Sequence, residues 1–137
     1  MSEFTIFDIA GSGLKAQNLR MNLVASNMAN ADAISSSINE TYKSRQPVFK
    51  AVMDQLNHKN PAPGVKVAGV VESDAPILKE YSPNHPMADE NGYIYRSNVN
   101  VVEEMANMIS ASRSYESNIE VINATKRMMN AVINLGK

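Results

Sequence analysis

Forty-three consecutive residues, bracketed by Gly92 and Gly136, contain neither glycine nor proline. These two residue types interrupt helices most readily. All six prolines lie between Pro47 and Pro86, and Leu14 to Gln46 is likewise free of both breakers. The chain therefore reads as a helix, a turn-rich middle and a long helix. A helix from Val101 to Leu135 is roughly 50 Å long at 1.5 Å per residue. A compact chain of 137 residues has a radius of gyration of only about 14 Å. So few neighbours cannot wrap such a helix. It must find partners outside its own chain or lie bare.

Local signals fix the ends of this helix. Asn100 is a favoured N-cap residue, and Glu103 follows at capping-box spacing. Glu103 and Glu104 near the start, with Lys126, Arg127 and Lys137 near the end, complement the helix dipole. Gly136 supplies the stop. Apolar residues recur in steps of four and three through Val101, Met105, Met108, Ser112, Tyr115, Ile119 and Ile122. The seam breaks at Lys126 and resumes at Met129 and Ile133. A second stripe runs late, through Val121, Thr125, Met128, Val132 and Leu135. The first seam is expected to face the N-terminal helix of the same chain, and the late stripe to face other chains. A helical stripe more often marks the core of a small bundle, but the length argues against that here.

The N-terminal segment carries a thinner seam. Ile9, Ala16 and Leu23 repeat every seven residues, with Ser12, Leu19 and Ser26 between them. Glycine and alanine are frequent, and each glycine inside a helix costs about 1 kcal/mol relative to alanine. Close approach of another helix would offset that cost. Asn27 is one of several asparagines on the segment, a residue type that fixes register at helical interfaces.

The middle has a different character. Ser35 to Ser44 reads as a flexible polar connector. Val48, Phe49, Val52 and Met53 form an apolar patch, either strand or short helix, and Asn57 to Gly64 is a loop. Val65, Val67, Val70 and Val71 predict a strand, Pro76 to Tyr81 a second, and Gly92 to Tyr95 a short third. Strands this few make a small sheet or flap rather than an independent core. The expected division is residues 1–34 as N-terminal helix, 35–96 as connector and β-rich middle, and 97–137 as C-terminal helix.

Composition excludes several functions. Thirteen basic and fourteen acidic residues give a formal net charge of -1, so nothing favours nucleic acid or an anionic membrane. There is no cysteine, hence no disulfide framework. No apolar run reaches membrane-spanning length. The N-terminus lacks a basic start, and Asp8, Lys15 and Arg20 interrupt any apolar core of a secretory signal. His85, Asp89 and Glu90 are metal-ligating types, but the spacing of a three-ligand site is missing and a solvated turn is expected. His58 has no partner cluster. No phosphate-binding or nucleophile motif occurs. No catalytic residue, cofactor, metal or small-molecule substrate is expected.

Longer motifs point to a family. Asn84 to Tyr93 (Asn-His-Pro-Met-Ala-Asp-Glu-Asn-Gly-Tyr) resembles a signature of the FlgC family of flagellar basal-body rod proteins. So do Asn98 to Met105 and Ala111 to Asn118. Ile9 to Gln17 and Met21 to Asp32 resemble the family's opening helix. The family continues with threonine after Asp32, where this chain has Ala33, Ile34 and a serine run.

The resemblance implies a mainly α, elongated protein, with terminal helices paired as a coiled coil and a short-stranded β-rich middle. It implies a structural subunit of the proximal rod, which passes torque from the membrane ring to the hook. Implied neighbours are further copies of the chain and the rod proteins FlgB, FlgF and FlgG, with FliE and the membrane-ring protein FliF as additional contacts. The implied route is the flagellar type III export apparatus, without a cleaved signal, to the rod in the periplasmic space. The residues expected to make subunit contacts are Ile9, Ala16, Leu19, Leu23 and Asn27 on the first helix. On the last they are Met105, Met108, Tyr115, Ile119, Ile122, Met128, Met129, Val132 and Leu135. A soluble helical adaptor or secretion chaperone is the competing expectation; it would not need the tyrosine-rich turn from Asn84 to Tyr95.

Overall fold

A computed structural model of the chain describes residues 3–52 and 64–136. Helix α1 spans Glu3–Ala29. Five strands follow: β1 (Ile34–Ser35), β2 (Arg45–Val52), β3 (Gly64–Glu72), β4 (Leu78–Tyr81) and β5 (Tyr93–Arg96). Helix α2 closes the order at Val101–Leu135. Met53, His58 and most of the expected Asn57–Gly64 loop lie outside the described residues. No described helix is long and apolar enough to cross a membrane.

Helix α2 has the bounds its caps predict. The Asn100 side chain accepts from the N–H groups of Val102 and Glu103, satisfying two of the orphan donors of the first turn. Gly136 ends the helix, its N–H donating to Ile133 O. The dipole argument needs correction at this end. The last turn contains no basic residue; Lys126 and Arg127 lie more than a turn earlier, and Lys137 is outside the described residues.

The two helices pair antiparallel. Asn27 Nδ2 donates to Glu104 Oε1 at 3.1 Å, and Arg20 donates to Asn107 Oδ1 at 3.0 Å. At the other end, a Cβ added to Gly13 would lie 3.0 Å from the Asn118 amide nitrogen. Fourteen residues back along α1 thus match fourteen forward along α2. The same register puts Glu3, the described start of α1, level with Met128. The last two turns of α2 therefore extend past the described part of α1.

The buried line differs from the apolar seams. On α1 it is Ala10, Ala16, Val24 and Asn27; on α2 it is Glu104, Ala111 and Thr125. Met108, Tyr115, Ile122 and Met129 border it and are half-buried, while Val101, Met105, Ile119 and Ile133 are exposed. On α1, Ile9 is exposed, whereas Leu19 and Leu23 are half-buried. Each helix is turned by about one residue from the expected orientation. The reason is steric: Ala111 is wholly buried, and small residues let the backbones approach where isoleucine or methionine would hold them apart. Thr125 satisfies its buried hydroxyl by donating back to Val121 O at 2.8 Å.

The middle forms two small sheets. One has the order β1-β5-β4, antiparallel, with Ile94 of the central strand buried. The other is the β2–β3 hairpin, whose register shifts at a bulge between Val48 and Phe49. The apolar patch at Val48, Phe49 and Val52 is therefore strand. The hairpin meets α1 where Val65 N–H donates to Ser12 Oγ at 3.1 Å. The polar run from Ser35 to Ser44 is not the loose connector expected. Ser35, Thr41 and Ser44 are buried, and both Ser35 and Thr41 hydroxyls donate to Ser37 O at 2.8 Å. Hydroxyls that look solvated in sequence here replace the missing backbone ladder.

Candidate assembly interface

Where the two helices meet the start of β2, a buried polar cluster ties three parts of the chain together. Asn27 is only 1% exposed. Its Nδ2 donates to Glu104 Oε1, to Arg45 O at 2.9 Å and to Ser44 Oγ at 3.3 Å. Its Oδ1 accepts from Arg45 N–H and from the Tyr42 hydroxyl, both at 2.9 Å. Ser44 also donates to Glu104 Oε1 at 3.3 Å. Both polar atoms of the Asn27 side chain are engaged, whereas Glu104 Oε2 is buried without a partner among the described residues, so the network is satisfied at Asn27 and incomplete at Glu104. Asn98 extends the tie: it accepts from Ser44 N–H at 2.8 Å and donates to Ala75 O at 2.8 Å. Asn27 was expected at a subunit interface, but in this chain it anchors the chain's own β2 to the helix pair. Glu104, read in sequence as a first-turn charge, is part of the same cluster. An asparagine on one helix and a glutamate on the other gave no sequence signal that they would meet.

The remaining expected contact residues fall into two groups. Ala16 is buried, on the side of α1 that lines a cavity with Val52 and Val65 of the hairpin. Met128, Val132 and Leu135 are open to solvent, Leu135 being 87% exposed. Val121, Ile133, Met105, Ile109 and Ile119 add further exposed apolar surface on α2. The interior of the pair is thus small and polar, and its exterior carries large apolar side chains. By helical periodicity Met105, Ile109 and Ile119 share one face and Val121, Met128, Val132 and Leu135 another, and exposed apolar faces of this kind mark interaction sites.

The signature turn is built on Asp89. Its Oδ1 accepts from Tyr93 N–H at 2.8 Å and Asn91 N–H at 2.9 Å, and its Oδ2 from the Tyr95 hydroxyl at 3.2 Å. The Tyr93 N–H bond leads in holding the carboxyl below its usual range; partial burial opposes it, while Asn91, Tyr95 and the nearby Lys79 charge assist. The Lys79 ammonium lies 3.9 Å from the Tyr93 ring centroid. His85 Nδ1 accepts from Met87 N–H at 3.1 Å, which assigns His85 to the turn. Among the described residues no three His, Cys, Asp or Glu side chains are placed to hold a metal.

Two expected results follow from the turn. Asp89 has a lowered folded pKa, so its hydrogen bonds contribute stability above the ordinary carboxylate range, and this is lost as pH falls through that range toward the lowered value. Asp89→Asn should flatten the acid limb of the melting temperature measured against pH. Gly92 adopts φ 79°, and an added Cβ would meet Tyr81 at 3.0 Å and Pro83 Cβ at 3.1 Å. Gly92→Ala should therefore destabilise the chain by about 1–3 kcal/mol in urea unfolding.

Comparison with known proteins places these features. Residues 7–33 match the flagella basal body rod protein family. Residues 90–135 match the flagellar basal body rod FlgEFG protein C-terminal family. The chain is 48% identical to the flagellar basal-body rod protein FlgC of Salmonella typhimurium over the full length of both. It is 46% identical to that of Escherichia coli O6:H1, again over the full length of both. Identity to that of Buchnera aphidicola subsp. Acyrthosiphon pisum is 41%, over 94% of each chain.

Proposed function

The chain belongs to the FlgC family of flagellar basal-body rod proteins, and we propose that it transmits torque along the proximal rod, from the membrane ring to the hook. The family is structural, not enzymatic, and its members are subunits of the flagellar rod that assemble with other rod components. The observation that carries the torque reading is the partition of α1 and α2. Small and polar side chains close the pair within one chain, and large apolar side chains remain outside it. A shaft of small subunits needs this division, since each helix must serve its own fold and its neighbours at once. Burial of the outer stripe at about 25 cal/mol per Å² would favour assembly.

In this reading the paired helices form a coiled coil lining the rod. The division into 1–34, 35–96 and 97–137 separates a helical core from an outer β-rich part. Neighbours are further copies, FlgB, FlgF and FlgG, with FliE and FliF at the base. Delivery to the periplasmic rod proceeds through the type III export apparatus without a cleaved signal.

Cysteine pairs test the partition. The chain has no cysteine of its own. Gly13→Cys with Asn118→Cys should close a disulfide within one chain. Single Met128→Cys or Ile119→Cys variants, each carrying a thiol-attached photo-cross-linker that inserts into neighbouring C–H bonds, should link to other rod subunits in isolated basal bodies. Intrachain links alone, with no adduct from Met128→Cys or Ile119→Cys, would refute the outward assembly face.

A further inference from the structure

We propose that Asn91 is a site of spontaneous deamidation, and that the turn held by Asp89 sets its rate. The sequence contains a single Asn-Gly pair, Asn91-Gly92. Asn91 is exposed, and the glycine after it has no Cβ to shield its backbone nitrogen. The turn itself imposes that glycine, since φ is 79° and an added Cβ would lie 3.0 Å from the Tyr81 ring. The reactive pair is therefore built into the signature turn. The Gly92 nitrogen, once its proton passes to a solvent base, attacks Cγ of Asn91. A new C–N bond closes a cyclic imide, the Cγ–Nδ2 bond breaks, and ammonia leaves with a proton taken from water. Water then opens the imide. Addition at Cγ leaves aspartate, and addition at the backbone carbonyl leaves isoaspartate.

The folded turn opposes the attack. The Gly92 N–H donates to Asp89 O at 2.9 Å, closing a β-turn over Glu90 and Asn91. While that bond stands, the nitrogen cannot lose its proton and swing onto Asn91 Cγ. Ser82 N–H donates to Gly92 O at 2.9 Å, and Asp89 N–H to Tyr93 O at 2.8 Å, so the neighbouring peptide groups are held as well. Asp89 Oδ1 accepts from both Asn91 N–H and Tyr93 N–H. One carboxylate thus fixes the backbone on either side of the reactive bond. All of these bonds lie within residues 82–93, so the turn can open while the helix pair stays folded. Local opening gates the reaction. Either product adds a carboxylate beside Asp89 and Glu90, and isoaspartate also lengthens the backbone by a carbon between positions 91 and 92. The bonds to Asp89 then lose their register. This chemistry does not depend on how the chain assembles.

Purified full-length chain would be held at mildly alkaline pH, either folded or in guanidinium chloride. Its peptides would then be mapped by mass for the exchange of side-chain NH for O. In the folded chain Asn91 should convert about fivefold faster, or more, than Asn39, which is exposed but precedes Glu40. Unfolding should raise the Asn91 rate by about tenfold or more, because the guarding bonds are lost. Asp89→Ala should raise it several-fold without denaturant, with its helices checked by far-UV circular dichroism. If Asp89→Ala does not fold, Tyr95→Phe, which removes only the bond to Asp89 Oδ2, should give a smaller rise in its place. Asn91→Gln should gain no carboxylate at that position, since the longer side chain does not readily close the imide. Conversion at Asn91 no faster than at Asn39 in the folded chain would overturn the site. Equal Asn91 rates in the folded and unfolded chains would overturn the guard.

Discussion

Exchanging Asn27 for leucine is expected to lower the unfolding free energy by about 3–4 kcal/mol, although leucine is apolar, similar in size and a better helix former. The asparagine serves Tyr42, Ser44, Arg45 and Glu104 together. Each partner left buried and unpaired costs about 1–3 kcal/mol, and Glu104 is the most exacting because it is 4% exposed and one of its oxygens already has no partner among the described residues. Relaxation and water entry reduce the sum, which is why the expected loss stays below the total. Glu104→Gln should cost less, since its amide oxygen can still accept from Asn27 and Ser44. Urea unfolding followed by far-UV circular dichroism gives both values. An Asn27→Leu variant within about 1 kcal/mol of the parent would mean that the cluster does not hold β2 to the helix pair.

The same cluster explains what the sequence could and could not reveal. Helix ends were legible because capping is local: Asn100 bonds N–H groups two and three residues away. The valines of β3 and the Tyr-Ile-Tyr of β5 were legible because strand preference is carried by a few adjacent side chains. Helix faces were less so. Reading apolar residues as interior put Met105 and Ile119 inside, whereas Ala111 and Glu104 are the buried positions. That rule fails when a helix has two kinds of partner, because the closest approach selects for small volume and the largest apolar groups are left for the other surface. The ordered Ser35–Ser44 segment was hidden for a related reason. Its hydroxyls find partners through a turn and through Asn27, which lies on another element.

Converting Met128, Val132 and Leu135 together to alanine should separate folding from assembly. All three are more than half exposed, and alanine is the best helix former. The isolated chain should therefore keep its urea midpoint, with a change in unfolding free energy within about 0.5 kcal/mol. In the rod, full burial of such side chains is worth about 1.5–3 kcal/mol each. Even half of that, over three positions, amounts to roughly 2–4 kcal/mol per contact, or about 30- to 1,000-fold in affinity. Because every subunit repeats the contact, the loss recurs along the shaft. Cells relying on the triple variant should swim poorly or not at all and yield few complete basal bodies. Ala111→Leu should show the opposite pattern, since the overpacked side chain pushes the helices apart and costs about 1–3 kcal/mol in the isolated chain. Normal motility in the triple variant would show that the exposed stripe is not the surface that builds the rod.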